Sequence, residues 1–186
     1  MMKEKNELFE WVKVLSFAVL LAFGIRFFLM TPIVVNGASM MPTLDDGDKL
    51  IINKLGPKLS DYDRFDIIVF KSPDGPNYVK RIIGLPGDRI EYIEDELFIN
   101  GKKFEEPYLD EYKTALIDSG TLTEDFRMED YLGKTTVPKD SYFVLGDNRR
   151  VSNDSRFPDV GFIPEDVILG KAELIYWPFN NFGTVN

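Results

Sequence analysis

The first feature of the chain is a strongly apolar stretch from Trp11 to Val35, in which Lys13 and Arg26 are the only charged residues. A helix that crosses a bilayer needs about 20 mostly apolar residues. The stretch reaches that length if Arg26 extends its long side chain to the membrane interface. We therefore predict one transmembrane anchor over residues 11–31, ended by Pro32, because the proline ring cannot continue a helix.

The residues before this stretch predict its orientation. Lys3, Lys5 and Lys13 favour a cytoplasmic position for residues 1–10, because short cytoplasmic segments are enriched in basic residues. Three more lysines follow the stretch closely, which weakens this signal. Two alternatives stay open: a cleaved signal peptide, although no small-x-small cleavage site follows the stretch, and a buried helix of a soluble domain.

After Val35 the pattern changes to short runs of β-branched and aromatic residues separated by turn residues, which is typical of strands. Asn100-Gly101 predicts a tight hairpin, and residues 84–88 predict a turn between two strands. The predicted strands are Lys49–Asn53, Asp66–Phe70, Tyr78–Ile83, Arg89–Ile93, Glu96–Ile99, Tyr142–Leu145 and Ala172–Tyr176. The fold class that follows is mostly β: an antiparallel sheet domain behind one N-terminal transmembrane helix.

Residues 105–134 differ from their surroundings. They contain nine Asp or Glu residues against three Lys or Arg residues, and their strand pattern is weak. We predict a peripheral acidic insertion or long loop there, which interrupts a β domain formed by residues 32–104 and 135–186.

Composition removes several classes of chemistry. The net charge of −9 argues against nucleic acid as a partner, because phosphate binding needs a basic surface. The chain has no Cys and no His, which excludes thiol nucleophiles, Ser-His-Asp triads and zinc sites built on Cys or His. A hydrolase of this composition needs a carboxylate, Lys, Tyr or terminal amine as its base.

Two residues are candidates for such chemistry. Ser39 lies among small residues just after the apolar stretch, although a single serine in a loop is ordinarily structural. Lys80 lies on a predicted strand, where it and Arg81 point to opposite faces. A lysine there is ordinarily exposed, but burial lowers the pKa of an amine and could make Lys80 a general base for a serine.

A third motif follows the predicted strand that ends at Leu145. It is dense in hydrogen-bonding groups, and its charged residues are Asp147, Arg149, Arg150, Asp154 and Arg156. A polar loop is usually a solvated turn, but charge-assisted hydrogen bonds between these groups could fix its conformation. Such rigidity is what the support of a catalytic site requires.

The three segments together resemble the bacterial type I signal peptidase family. The matching stretches are SMMPTL from Ser39, YVKRIIGLPGD from Tyr78 and GDNRRVSNDSR from Gly146, in that order behind an N-terminal apolar segment. The resemblance covers most of the chain except residues 105–134. It implies a mostly β catalytic domain and a Ser/Lys dyad protease, with Ser39 as nucleophile and Lys80 as general base.

The resemblance also implies roles for further residues. Ser152 would orient the Lys80 amine, Asp154 would pair with Arg156, and Asp147 would support the site. The backbone N–H of Ser39 would stabilise the oxyanion. Some family members carry a serine two residues before the nucleophile, where this chain has Gly37, so the second oxyanion donor is unidentified.

The partners follow from the same resemblance. The substrates would be preproteins with signal peptides, cut after small residues, and we expect Gly37 and Met40 to contact them. Membrane lipid would surround the anchor, and the catalytic domain would lie outside the cytoplasm. Neither a cofactor nor a metal ion is expected.

Three rival interpretations remain at this point. Asp118 lies in Asp118-Ser119-Gly120-Thr121, which is similar to the signature of retroviral-type aspartic proteases. The chain could also be a membrane-tethered β domain without activity. A Ser/Lys self-cleaving repressor is the third rival, but such proteins bind DNA and lack an anchor.

Overall fold

The computed structural model describes residues 3–55, 61–72, 75–118 and 120–185, and within helix α1 it leaves out the side chains of residues 3–6 and 25–29. Helix α1 spans Lys3–Leu29 and leads directly into strand β1, Met30–Val34. The remaining strands are β2 Lys49–Asn53, β3 Ile67–Phe70, β4 Tyr78–Gly84, β5 Ile90–Ile93, β6 Glu96–Ile99, β7 Lys102–Phe104, β8 Phe126–Arg127, β9 Ser141–Leu145, β10 Ile163–Pro164, β11 Ile168–Trp177 and β12 Gly183–Thr184.

The larger sheet has the strand order β1-β2-β11-β3-β4-β9-β10, and β12 pairs with β11. Every described pairing in it is antiparallel. Its central strands are rich in β-branched residues and buried on both faces; all four residues of β3 are buried. This places β4 and β9, which carry two of the candidate motifs, side by side in the interior of the sheet.

The smaller sheet has the order β7-β6-β5-β8. Asn100 and Gly101 both have positive φ values, 54° and 77°, as the predicted tight turn between β6 and β7 requires. Glu94 and Asp95 form a second turn of this kind, with φ values of 53° and 64°. Asp95 also accepts a hydrogen bond of 2.8 Å from the N–H of Thr123, which ties this turn to the acidic segment.

In the part of the chain that the structure describes, the core has three apolar clusters. One lies under β1, β2, β3 and β11 and includes Met40 and Leu44. A second joins the smaller sheet to β4 and β9 through residues such as Tyr92 and Phe143. The third covers the other face of the larger sheet around Ile68 and Ile82. The β domain is therefore packed on both faces of its main sheet.

Helix α1 is present where the sequence predicts one, but it begins earlier and ends earlier than the predicted anchor. It ends at Leu29, and Pro32 lies inside β1 rather than at the end of the helix. Proline is tolerated there because β1 is the outermost strand of its sheet, where a missing N–H costs no ladder hydrogen bond on the open side.

The structure does not confirm the spanning property that the sequence predicts for residues 11–31. Among the described residues, no helix is long and apolar enough to cross a membrane. The described apolar part of α1 is preceded by Glu7, Glu10 and Lys13. The predicted anchor continues over residues 25–29, including Arg26, and these side chains lie outside the described set.

The acidic segment, predicted as a peripheral insertion or long loop, contains short helices, a strand and buried residues. It contains a 3₁₀ turn at Pro107–Leu109, helix α2 at Asp110–Ala115, strand β8 and helix α3 at Met128–Leu132. Its buried residues are Glu106, Leu109, Leu122, Thr123, Phe126 and Met128. Since β8 is an edge strand of the smaller sheet, the segment belongs to the folded body of the β domain.

Candidate active site

Ser39 lies in the turn that connects β1 to β2. Two backbone hydrogen bonds join the two ends of this connection. The N–H of Gly47 donates 3.0 Å to the carbonyl oxygen of Val35, and the N–H of Val35 donates 2.8 Å to the carbonyl oxygen of Asp48. Between these ends, the side chains of Met40 and Leu44 are buried in the core and fix the turn to it. Gly37 has a φ of +88°, which favours glycine, and its N–H donates 2.7 Å to the carboxylate of Asp46. The nucleophile candidate therefore sits on an anchored turn.

Lys80 reaches Ser39 from the middle of β4. Its backbone pairs with Ile68 of β3, and the residue is only 3% exposed. The Nζ atom donates a hydrogen bond of 2.8 Å to Ser39 Oγ and another of 3.1 Å to the carbonyl oxygen of Val79. The structure thus brings together the two residues that the sequence analysis selected.

Burial gives Lys80 the acid–base property that a general base needs. Desolvation is the main cause, and it lowers the pKa of Lys80 to about 8, although the negative charges of Asp154 and Asp147 act in the opposite direction. Loss of water disfavours the ammonium form more than two nearby carboxylates favour it. A substantial fraction of neutral amine is then available at mildly alkaline pH.

The loop that follows β9, residues 146–156, packs directly on the Ser39 turn. The N–H of Asn148 donates 3.0 Å to the Ser39 carbonyl oxygen, and its side-chain amide donates 3.1 Å to the Ala38 carbonyl oxygen. Asp154 accepts a hydrogen bond of 3.0 Å from the N–H of Gly146 and pairs with Arg156 at 2.8 Å. The predicted Asp154–Arg156 pair is present, and it closes the loop on itself.

Asp147 connects this loop to β4. Arg81 donates to both carboxylate oxygens of Asp147, at 2.9 and 2.7 Å, and both side chains are almost completely buried. Thr43 adds a third hydrogen bond to Asp147, of 2.6 Å, from the Ser39 turn. One carboxylate therefore ties together the three segments that carry the candidate motifs.

Comparison with known proteins identifies the family. The model of the family described as "Signal peptidase, peptidase S26" matches residues 8–177. The chain belongs to this family. Membership in the signal peptidase family makes it a peptidase of the type that acts on preproteins with signal peptides.

Individual relatives within the signal peptidase family agree. A signal peptidase I of Bacillus caldolyticus is 52% identical over 165 residues, which cover 89% of each chain. A signal peptidase IB of Staphylococcus aureus is 40% identical over 182 residues, 96% of this chain and 94% of that one. The crystal structure of a signal peptidase I from Enterococcus faecalis V583 has a TM-score of 0.57 at 43% identity, covering 60% of this chain and 97% of that chain.

Two of the expected contacts are not formed as predicted. Ser152, which was expected to orient the Lys80 amine, is buried beside the site, but its Oγ makes no hydrogen bond to that amine or to any other group in the described part of the chain. Met40 is 1% exposed and its side chain packs into the core, so it cannot present that side chain to a substrate in this conformation. Gly37 is exposed, and its contact with substrate stays a prediction.

The features that supported rival chemistry lie elsewhere. Asp118 is ion-paired with Arg150 at 2.6 Å on the surface, and hydrogen bonds from Arg150 and from the N–H of Gly120 hold the pKa of its carboxyl below the ordinary value. It therefore lacks the shared proton of an aspartic protease dyad. Within the described ranges, no group of three or more Asp or Glu residues is arranged to hold a metal ion.

Four residues that contact the candidate site or its supporting groups were not predicted from the sequence. Arg81 was noted only as pointing away from Lys80, yet it is the partner of Asp147. Thr43 lies in the stretch SMMPTL, which was matched to the family for the sake of Ser39. Glu106 and Tyr108 lie in the segment predicted to be peripheral, and no local pattern in the sequence connects them to the loop they contact.

Proposed function

We propose that the chain is a membrane-attached serine endopeptidase that removes N-terminal signal peptides from exported preproteins, with Ser39 and Lys80 as its catalytic dyad. The observation that carries the proposal is the hydrogen bond of 2.8 Å between Lys80 Nζ and Ser39 Oγ, in which Lys80 is buried and Ser39 is half-buried. Because the chain has no histidine, a lysine amine of lowered pKa is the base best placed for this serine.

The reaction follows ordinary acyl transfer. Neutral Lys80 accepts the proton of Ser39 Oγ while that oxygen attacks the carbonyl carbon of the scissile peptide bond. The backbone N–H of Ser39 stabilises the developing oxyanion. The Lys80 ammonium then gives its proton to the leaving amine as the C–N bond breaks, which leaves an ester on Ser39 and releases the mature protein.

The second half of the reaction hydrolyses the ester and regenerates the free hydroxyl of Ser39. Lys80 takes a proton from a water molecule, which attacks the ester carbonyl and displaces Ser39 Oγ. Lys80 returns the proton to that oxygen, and the signal peptide leaves with a new carboxylate. Asp147, Asp154 and Arg156 hold the surrounding loop in place in this scheme. The preference for small residues at the cut is an expectation from the family.

Cleavage of a purified preprotein in detergent tests the dyad. We expect Ser39→Ala and Lys80→Ala each to lower the cleavage rate by at least about 10³-fold, because neither partner of a nucleophile–base pair works alone. The readout is the rate at which the mature product appears, measured on variants whose near-ultraviolet circular dichroism matches the wild type.

Two control variants sharpen this test. Lys103→Ala removes an exposed lysine of β7 that pairs only with surface carboxylates, and Asp118→Asn removes the residue of the aspartic protease rival. Both are expected to cleave at the wild-type rate. Turnover retained by Ser39→Ala or Lys80→Ala, or lost in Asp118→Asn, would rule out the proposed dyad.

The proposal includes attachment to membrane lipid through α1. Large apolar side chains from Leu8 to Phe23 are all more than half exposed, and they follow one another around the whole circumference of the helix. A helix that is apolar on every side is stable in an apolar surrounding. In the proposed single-pass orientation, residues 1–10 face the cytoplasm and the β domain lies outside.

Labelling tests this orientation, because the chain has no cysteine of its own. A Lys3→Cys variant is expected to react with a membrane-impermeant maleimide only after the cells are permeabilised. A Lys139→Cys variant is expected to react in intact spheroplasts. Equal labelling of both positions from outside would contradict the orientation.

A further inference from the structure

The start of the acidic segment contacts two arginines that belong to the catalytic elements. We propose that Glu106 and Tyr108 are positioning residues for the reaction: they hold Arg149 of the loop 146–156 and Arg81 of β4, and thereby keep Lys80 against Ser39. This inference rests on the proposed dyad and gives the acidic segment a part in its chemistry.

Glu106 fixes the loop through Arg149. The two side chains are almost completely buried, and Arg149 Nη2 lies 2.6 Å from Glu106 Oε1. The same guanidinium donates 3.1 Å through Nε to the carbonyl oxygen of Gly146, the first residue of the loop. Arg149 also offers its own carbonyl oxygen to Arg156 at 2.7 Å. A single arginine therefore links the acidic segment to both ends of the loop.

Two further groups complete the surroundings of this pair. Tyr92 of β5 accepts a hydrogen bond of 2.6 Å from Arg149 Nη1 and donates one of 2.8 Å to Glu106 Oε1, while Thr123 accepts a bond of 3.1 Å from Arg149. Burial would raise the pKa of Glu106, but the charge of Arg149 and the hydrogen bonds to Glu106 keep that pKa below its ordinary value. Glu106 is thus an ionised partner at the pH of the reaction.

Tyr108 acts on the strand that carries the base. Its ring lies over the guanidinium of Arg81, with 3.9 Å between the ring centroid and Cζ, while its hydroxyl donates 2.6 Å to Glu106. Arg81 follows Lys80 in β4 and is the buried partner of Asp147. Glu106 therefore contacts the loop through Arg149, and Tyr108 contacts β4 through Arg81.

The contacts of Glu106 and Tyr108 affect Lys80 by limiting how much water reaches its amine. The charged groups that act most strongly on Lys80 are Asp154 and Asp147, and both belong to the loop that Arg149 anchors. If the loop loosens, water reaches the Lys80 amine and restores the solvation of its ammonium form. The distance between Lys80 and Ser39 also becomes less well defined. Both changes lower the rate of the chemical step, and neither Glu106 nor Tyr108 is among the residues expected to contact the substrate.

Peptide cleavage by the full-length enzyme in detergent tests the inference. Glu106→Gln keeps the shape of the side chain and removes its charge, and Tyr108→Leu removes the ring over Arg81. We expect each to lower kcat about 10- to 100-fold with little change in KM, because small misplacements at a reacting centre cost this much. We also expect the acidic limb of the pH–rate profile to move to higher pH.

Matched variants separate positioning from general destabilisation. Asp118→Asn removes the exposed pair between the same acidic segment and Arg150 of the same loop, and it should leave kcat, KM and the pH profile unchanged. Tyr108→Phe keeps the ring over Arg81 and should recover most of the activity that Tyr108→Leu loses. Thermal unfolding of each variant measures the folded fraction.

The outcomes are distinct. If folded Glu106→Gln and Tyr108→Leu proteins keep the wild-type kcat and acidic limb, or lose only thermal stability, the inference is wrong. If Glu106→Gln does not fold, the comparison of Tyr108→Leu with Tyr108→Phe decides the question, and equal kcat values in those two would overturn the inference. Failure of the dyad itself would appear separately, as turnover by Ser39→Ala.

Discussion

At the scale of single residues, the decisive property is the surroundings of the Lys80 amine. A lysine in water is almost fully protonated at neutral pH and cannot accept a proton. Lys80 is 3% exposed, and desolvation lowers its pKa to about 8 in spite of two nearby carboxylates. The neutral form is the active one in the proposed mechanism, so activity should rise as pH rises through this value.

We therefore expect kcat/KM for a model preprotein to increase about tenfold per pH unit below pH 7 and to level off above a pH of about 8. At pH 6 about 1% of the enzyme would carry a neutral amine, since that pH is two units below the pKa. Initial rates between pH 5.5 and about 9.5 in detergent measure the profile.

Lys80→Arg is the control for this profile, because a guanidinium keeps its proton throughout the pH range in which proteins are stable. It should be inactive at every pH tested. A limb that rises only in the range of an ordinary exposed lysine would contradict the lowered pKa of Lys80, and a limb that titrates like a carboxylate would contradict the assignment of the limb to Lys80.

At the scale of elements, the loop 146–156 must pass very close to the Ser39 turn. A Cβ built on Gly146 would meet the side chain of Ser152 and the carbonyl oxygen of Ser39, closer than real Cβ atoms approach their neighbours. Gly146→Ala should therefore push the loop and the turn apart. We expect cleavage to fall about 100-fold, because the nucleophile moves relative to its base.

Gly183→Ala is the matched control, since the nearest atom to its added Cβ is the Asn181 carbonyl oxygen at 4.0 Å. It should cleave at the wild-type rate. Full activity in Gly146→Ala would mean that the loop and the Ser39 turn can separate without effect on the dyad.

The elements also differ in how far the sequence predicts them. All seven predicted strands are present, and Lys49–Asn53 and Glu96–Ile99 have the predicted bounds, because short alternating runs between turn residues carry local information. Strand β1 was not predicted, because it lies at the end of the apolar stretch 11–35 and its first two residues fall inside the predicted anchor 11–31. Strand β11 is longer than predicted, and its register shifts toward β2 and β3 depend on pairings far apart in sequence.

The residues of the candidate site also differ in how far the sequence predicts them. Ser39 and Lys80 were selected from local motifs, and the structure places them in contact, although their catalytic roles stay a prediction. Glu106 was not found, because its partner Arg149 lies 43 residues away and the acidic segment has no clear strand pattern. A burial pattern that depends on tertiary contacts leaves little trace in local periodicity.

At the scale of the whole molecule, the chain has two parts that differ in how far their apolar side chains are covered by other residues. The β domain has cores on both faces of its main sheet, while α1 exposes its apolar side chains and contacts the domain mainly through β1. The residues of the candidate active site all lie after Val35. Attachment and chemistry should therefore be separable.

Removal of residues 1–29, so that the chain begins at Met30, should separate them experimentally. Cleavage of a short water-soluble peptide should stay within about threefold of the full-length rate, because no described contact of the dyad involves α1. Cleavage of a preprotein inserted in lipid vesicles should fall about 100-fold, because attachment to the same membrane raises the effective concentration of enzyme and substrate. Both rates are measured on protein whose near-ultraviolet circular dichroism matches that of the full chain. Equal losses on the two substrates would show that α1 supports the β domain itself, and no loss on vesicles would show that it does not attach the enzyme to lipid.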